Sequence, residues 1–537
     1  MSSAMPQGGP TALPGDHHPT PKDEARLKAG AVGLFGVLFM AVANAAPITA
    51  MSFNVPIAVG YGNGTGASAG YLFAAIVLVI FTIGFAAMAR YVTTTGAFYG
   101  FISHGLGQVA GMANGLLAAV AYIIFEGSLI GGFAYFASDS LQSSFNISVN
   151  WLPIAIVGIL VIAILTYYSV TLAAGILSVT LVSEVLLLIL LGITVLFKGG
   201  PDGLSAGAPF NVSNAFQDLP ANAFGTSVVA GSAAVGIFFA FWSWIGYETT
   251  AVYGEESRDP KRFVPLATLL AVVGLGLFYT FMSWMVVAGN GSKTAVEVSA
   301  GANPIDLWLN LVQSNLGGFF VGLYKLLLIV GSFACAMAFH NAASRYIYAM
   351  GREAAFPSVR RTLGGVNVKH GSPAFASFAQ SGITLVLTLL FFAFTHVFVP
   401  DAKGNPVDTP SLVPYVNEYG ILALIGTAMI LIVQTFTSIA VIWFFWVKRA
   451  HKGNPLTTLV APVIGAAGML YALFLLWQNK DFAAGLASSS LIVQLMPWYV
   501  VGLVVLGFGY ALWVRSSNPE IYAEIGRTTL EEAHERA

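Results

Sequence analysis

Phe241-Trp242-Ser243-Trp244-Ile245-Gly246-Tyr247-Glu248 decides how this chain folds. The stretch lies inside an apolar run that begins near Val228 and ends at the charged Glu255-Glu256-Ser257-Arg258-Asp259-Pro260-Lys261-Arg262. A carboxylate, a glycine and two indoles therefore sit midway through a segment long enough to cross a bilayer. An ionisable side chain at the bilayer centre costs about 2.5–3.5 kcal/mol on insertion scales, so its presence argues for a function. Glycine weakens a helix and frees backbone groups that a polar ligand can satisfy. The stretch predicts a helix broken around a ligand.

The whole chain agrees with a membrane setting. Its 537 residues are 57% apolar and 9% charged, with a mean hydropathy of +0.78, whereas soluble domains carry about 25% charged residues. A net charge of −1 gives no basic surface for nucleic acid. The single cysteine, Cys335, excludes an intrachain disulfide and a cysteine-clustered metal site. His17-His18 supplies two ligands, too few for a metal centre. Gly289-Asn290-Gly291-Ser292-Lys293-Thr294 lacks the adjacent Gly-Lys pair of a phosphate loop, so no nucleotide or other cofactor is expected. Residues 1–28 are polar and read as a disordered tail. The first apolar run, from Ala29, is too long for a signal-peptide core.

A spanning helix needs about 20 apolar residues. Twelve such runs are present: 30–57, 70–94, 107–138, 151–170, 174–197, 228–253, 264–288, 316–343, 373–397, 419–446, 457–477 and 491–514. With this count, 18 of the 23 Lys and Arg fall on one side and 4 on the other, with Lys325 inside the eighth span. Positive charge marks the cytoplasmic side, so both termini are expected there, in a multi-pass plasma-membrane protein.

The first span has its own interruption, Asn44-Ala45-Ala46-Pro47-Ile48-Thr49-Ala50, where Pro47 removes a helical donor. It lies five spans before the Trp242–Glu248 break, so the two interrupted helices cross in opposite directions. Paired interruptions in inverted halves are the best sequence pointer to a midplane site in a secondary transporter. This predicts an all-α protein of two five-helix repeats, 29–197 and 228–446, separated by the loop 198–227. Two further helices would occupy 447–514, followed by a tail at 515–537. No clustered catalytic set is present, so an enzyme is not expected. No motif specifies an oligomeric state.

Four local patterns resemble the amino acid–polyamine–organocation (APC) permeases over essentially all of 30–527. They are Phe241–Thr249 with Gly254–Pro265, Gly96-Ala97-Phe98-Tyr99-Gly100 with Gly105-Leu106-Gly107-Gln108, Asn341–Pro357, and Pro519–Gly526. The resemblance implies the leucine-transporter type of fold, agreeing with the inverted repeat. It also implies substrate contacts from Ala46, Pro47, Ile48, Thr49 and Ala50 in the first break, and from Trp242, Ser243, Ile245 and Gly246 in the second. In related antiporters a Trp-x-x-x-Gly-x-Glu segment supplies an aromatic that stacks on substrate and a proton-sensitive carboxylate. Trp242 and Glu248 match those positions. An indole face attracts an ammonium by about 0.5–2 kcal/mol, and a carboxylate in a low-dielectric site favours its neutral form, which suits it to carry a proton.

Glu126, near mid-membrane at about 1.5 Å per residue from Gly111, matches a polar substrate contact in the same antiporters. It would sense a cationic substrate or bind a proton; the alternative is a pair with Lys325. Tyr122, one turn earlier, shares its face. Glu184 stands where some family members carry a lysine in place of a sodium ion, and its inverted charge leaves it a structural partner or a proton carrier. His340 reads as packed, Gln434 as a helix–helix hydrogen bond, and Asn303–Val312 as a short amphipathic lid. The implied activity is proton-coupled import of amino acids. A polyamine or other organic-amine importer or antiporter, or a non-transporting sensor, fits the same pattern.

Overall fold

The computed structural model describes residues 27–526 apart from 169, 302, 368 and 402–403. The tail with His17-His18 lies outside these residues. Among the described residues, eleven helices are long and apolar enough to cross a membrane. In chain order they are α1 (Leu34–Gly62), α2 (Ala67–Ala89), α3 (Gln108–Phe145), α4 (Trp151–Tyr168), α5 (Val170–Lys198), α7 (Pro260–Asn290), α8 (Gly318–Arg352), α9 (Ala374–Phe394), α10 (Pro410–Val447), α11 (Leu456–Gln478) and α12 (Met496–Ser517). The remaining crossing is made of two short pieces, α6a (Ala233–Trp242) and the 3-10 turn α6b (Tyr247–Tyr253). The twelve crossings thus match the twelve apolar runs. Helix ends overshoot the runs where polar residues continue the helix into the interface, as in α3 and α10.

α1 is also in two pieces. α1a (Leu34–Ala45) ends at Ala46, whose φ of 44° is left-handed, and α1b (Pro47–Ile57) starts with Pro47 at its first position. Proline is well placed there because a first-turn N–H has no helical acceptor. α1 and α6b pack together, and α3 packs against α4, α8, α10 and α12. Both ends of the described chain meet the C-terminal end of α8. Leu27 packs on Tyr348, and the Gly526 amide donates to Glu353 (2.7 Å). This face is called the tail side below. On the opposite, far side, a two-stranded hairpin (Phe398–Pro400 with Pro406–Asp408) joins α9 to α10. The short helix expected at 303–312 is present there as Asp306–Asn315. Trp308 is buried under it and donates from Nε1 to the Met51 carbonyl on α1b (2.9 Å).

Gly246 makes the second break possible. Its φ is +111°, and a Cβ there would stand 2.5 Å from Asn44 Cβ and 2.9 Å from the Asn44 carbonyl carbon. The two interruptions touch at this point. Gly246→Ala should therefore lower stability by at least about 2 kcal/mol, from strain and overlap together. Gly274→Ala, where nothing lies within 4 Å, should stay within about 0.5 kcal/mol. Thermal unfolding in detergent distinguishes the two.

Candidate functional site

The two breaks are tied across their contact. Asn44 Nδ2 donates to Thr249 Oγ1 (2.8 Å), Asn54 Nδ2 to Ser243 Oγ (2.9 Å), and the Tyr279 hydroxyl to the Ala45 carbonyl (2.9 Å). α1b is fixed to α8 through Thr49 and Ser332 (3.2 Å) and through Ser52 and Tyr324 (2.6 Å). Between the breaks and the facing surfaces of α3, α8 and α10 lies a cavity of about 30 Å³. That is room for a water or two, so the site is occluded.

Six of the residues expected at the site line this cavity: Ala46, Thr49, Ala50, Trp242, Ser243 and Ile245. Sequence reasoning missed Asn44, Asn54, Phe125, Ser128, Phe339 and Tyr419, which line it too. Asn44 had the clearest signal, a polar residue two positions before the Ala46 break. Asn44 Oδ1 and Asn54 Oδ1 are buried acceptors without a hydrogen-bond partner. No carboxylate or cation is among the lining side chains. Trp242 stacks on Phe239 (ring centroids 4.9 Å apart) and reaches Tyr419 (6.4 Å), whose ring meets Phe53 at a tilt (4.7 Å). These rings close the cavity on the far side.

The other expected site residues are placed elsewhere. Pro47 faces an apolar groove between α5 and α7. The Ile48 amide points to Glu184 Oε2 (3.4 Å), which sets that carboxylate at the N-terminal end of α1b, a favourable place for negative charge. Gly246 supplies the turn, and its amide donates to Glu248 Oε2 (3.0 Å). The Tyr122 hydroxyl donates to Glu248 Oε1 (2.9 Å), so Tyr122 turns from the cavity toward α6b.

Glu126 is the main correction. It is fully buried and points away from the cavity. His340 Nδ1 lies 3.0 Å from both of its oxygens, and Gln380 Nε2 donates to Oε2 (2.6 Å). Lys325 is not its partner; that ammonium donates to Ser143 Oγ (3.0 Å). On a helix, neighbours in sequence point 100° apart, and here Phe125 takes the cavity-facing position. His340 is more than packing, because its Nε2 also meets Ser377 Oγ at 2.7 Å. Gln434 makes no helix–helix bond: neither carboxamide atom has a partner.

The tail side is shut by two bidentate ion pairs that join α8 to the segment after α6b. Arg345 meets Glu256 at 2.6 and 2.9 Å, and Arg352 meets Glu255 at 2.5 and 3.0 Å. Burial opposes ionisation of Glu255, but the Arg352 guanidinium and the Thr95 amide outweigh it and hold its carboxyl below the usual range. A depressed folded-state value means that this pair stabilises the fold above the ordinary glutamate range and loses that effect as pH falls through the folded-state value. Glu255→Gln, which removes the carboxylate that Arg352 meets in two bonds, should cost about 3 kcal/mol. In thermal unfolding the penalty should be constant from about pH 5 to 8 and shrink only in stronger acid.

The comparisons with known proteins fit this geometry. The profile of the family described as amino acid permease matches residues 32–507. The chain is 22% identical to a branched-chain amino acid permease of Bacillus subtilis, over 82% of this chain and 85% of that protein. It is 24% identical to an uncharacterised transporter of Rhizobium meliloti, over 80% and 81%. It is also 24% identical to an arginine/agmatine antiporter of Chlamydia trachomatis, over 48% and 47%. An occluded cavity between two broken membrane helices and a family match across nearly the whole chain lead to one conclusion: the chain belongs to the amino acid permease family, membrane transporters of the APC superfamily.

Proposed function

We propose that this protein is a secondary-active, proton-coupled importer of neutral aliphatic amino acids, set in the plasma membrane with the tail side cytoplasmic. The single observation that carries the substrate class is the lining of the cavity, which has no charged side chain and two unpartnered carboxamide oxygens. A cationic side chain buried there would lack a counter-charge, at a cost of several kcal/mol. An α-ammonium needs acceptors, and Asn44 Oδ1 and Asn54 Oδ1 supply them. An α-carboxylate needs donors, and at the N-terminal end of α1b, where the Ile48 amide is turned to Glu184, the amide and hydroxyl of Thr49 supply them with a favourable dipole. Phe125, Leu129, Phe339 and Ile245 then offer an apolar wall to the side chain. The Bacillus relative's name agrees with this class.

In this reading 29–197 and 228–446 are the inverted halves, and alternating access opens the aromatic closure or the ion-pair closure in turn. A channel is disfavoured by closure on both faces. Glu248 ties protonation to the tail-side gate, because it holds the Gly246 amide of the break and the Tyr122 hydroxyl of α3 together. Glu184 holds the matching end of the α1 break.

The test is uptake into proteoliposomes of leucine, valine, arginine and putrescine, with and without an inward proton gradient. Leucine or valine should accumulate on the gradient. Preference for arginine or putrescine would overturn the substrate class and favour the organic-amine reading, which the Chlamydia relative supports. Trp242→Ala should lower kcat/KM by at least about tenfold at unchanged membrane expression. Asn54→Leu, which removes an ammonium acceptor, should act mainly through KM.

A further inference from the structure

α9 has an unusual buried face. Ser377, Gln380, Ser381, Thr384 and Thr388 are all buried, and at 100° per residue they fall within an arc of about 100°. The opposite face, with Phe375, Phe378, Val386 and Leu389, is exposed as lipid contact requires. A helix held by packing alone needs no such stripe, because each polar group taken from water without a partner costs free energy.

The stripe is hydrogen-bonded to two buried carboxylates in two separate stretches, one from Thr166 to Thr384 through Glu126 and one from Thr388 to Glu418. From the tail side, Thr166 of α4 meets Ser377 (3.0 Å), Ser377 meets His340 Nε2 (2.7 Å), and His340 Nδ1 meets Glu126 (3.0 Å). Gln380 bridges Glu126 to Thr384 (2.6 and 3.2 Å). One turn farther, Thr388 donates to Glu418 Oε1 of α10 (2.6 Å). Two acceptors on this path, Gln380 Oε1 and Glu418 Oε2, are buried without a partner. The substrate cavity is not on the path. It lies across the Phe125–Phe339 stack (4.9 Å).

We propose that the buried polar face of α9 is a proton path separate from the substrate cavity, with Glu126–His340 as the place where the transported proton is held. This rests on the proton-coupled reading given above. On the way to the tail side, a proton held on Glu126 passes to His340 Nδ1, the imidazole gives its Nε2 proton to Ser377 Oγ, and that hydroxyl gives up its own proton toward the tail side. One O–H breaks at Glu126, one N–H forms and one breaks at His340, and one O–H forms at Ser377 as another is given up. The pair goes from no charge to one negative charge. Other titratable groups near this centre are Tyr122 on α3, Arg345 on α8, Tyr167 on α4, Glu418 on α10 and, through Tyr122, Glu248 on α6b. α9 carries none. The link to transport is short. Phe125 and Phe339 adjoin the pair in sequence and line the cavity, and Tyr122 bonds Glu248 beside the Gly246 break.

The experiment compares wild type with Glu126→Gln and His340→Gln in proteoliposomes, using leucine as probe and a trapped pH dye. Each variant should lose gradient-driven accumulation and leucine-induced proton uptake by at least about tenfold, while leucine exchange at equal pH stays within about twofold. Ser377→Ala should slow proton uptake without abolishing exchange. Wild-type accumulation in Glu126→Gln overturns the proposal, as does joint loss of exchange and thermal stability, the mark of a purely structural pair. A wild type that accumulates leucine with no proton movement overturns the coupling reading itself. A readout independent of substrate is the infrared band of protonated carboxyls, followed as a proton gradient is imposed. One component should vanish in Glu126→Gln and shift in His340→Gln, and an unchanged band would also refute the assignment.

Discussion

No water reaches the middle of a bilayer, so every backbone N–H and C=O there must find a partner in protein. Two broken helices in one span layer survive only by solving this for each other. The Ala46 and Gly246 turns are pressed together until no Cβ fits at Gly246. Tyr279, Cys335 and Thr249 then donate to carbonyls, and Glu184 and Glu248 accept from amides, that the helices no longer pair, while Asn44 and Asn54 tie the two breaks side chain to side chain. What they leave over, two carboxamide oxygens and the end of α1b, is a set of polar groups in an apolar wall, and that is what a small zwitterion requires.

The spans were legible in the sequence because twenty-residue apolar runs are a coarse signal that packing does not alter. The breaks were legible because proline and glycine act on the backbone locally: Pro47 and Gly246 both mark the actual turns. The choice of which helical neighbour faces the cavity was not legible. Glu126 and Phe125 are adjacent on α3, and only packing against α8 and α9 decides that the ring turns to the cavity and the carboxylate to His340. Asn54 was equally hidden, since one asparagine in an apolar helix carries no periodic signal. Glu418 escaped notice because it sits at the edge of an apolar run, where a carboxylate is unremarkable until the structure buries it.

The distribution of charge follows one rule. The cavity walls carry none, while Glu126, Glu184, Glu248 and Glu418 are each held by hydrogen bonds around it. The two bidentate ion pairs stand farther out, on the tail side. Bare charge in the cavity would bind a counter-charge tightly and resist release, whereas a carrier must bind and let go. Charge one helix face away can still alter the spacing of α3, α8 and α6b, which define the cavity.

Coupling then becomes a matter of which contacts differ between closed and open states, since a ligand shifts an equilibrium only by its differential affinity. Here the same three helices meet the cavity with one face and a carboxylate with the other. α3 offers Phe125 to the cavity and Glu126 to His340; α8 offers Phe339 and His340 in the same way; the α6 break offers Ile245 to the cavity while Glu248 grips its Gly246 amide. A change on either face must be carried through a rigid helix to the other. That two-faced construction needs no substrate–proton contact. It accounts for a cavity built without charge in a protein whose membrane interior holds four buried glutamates.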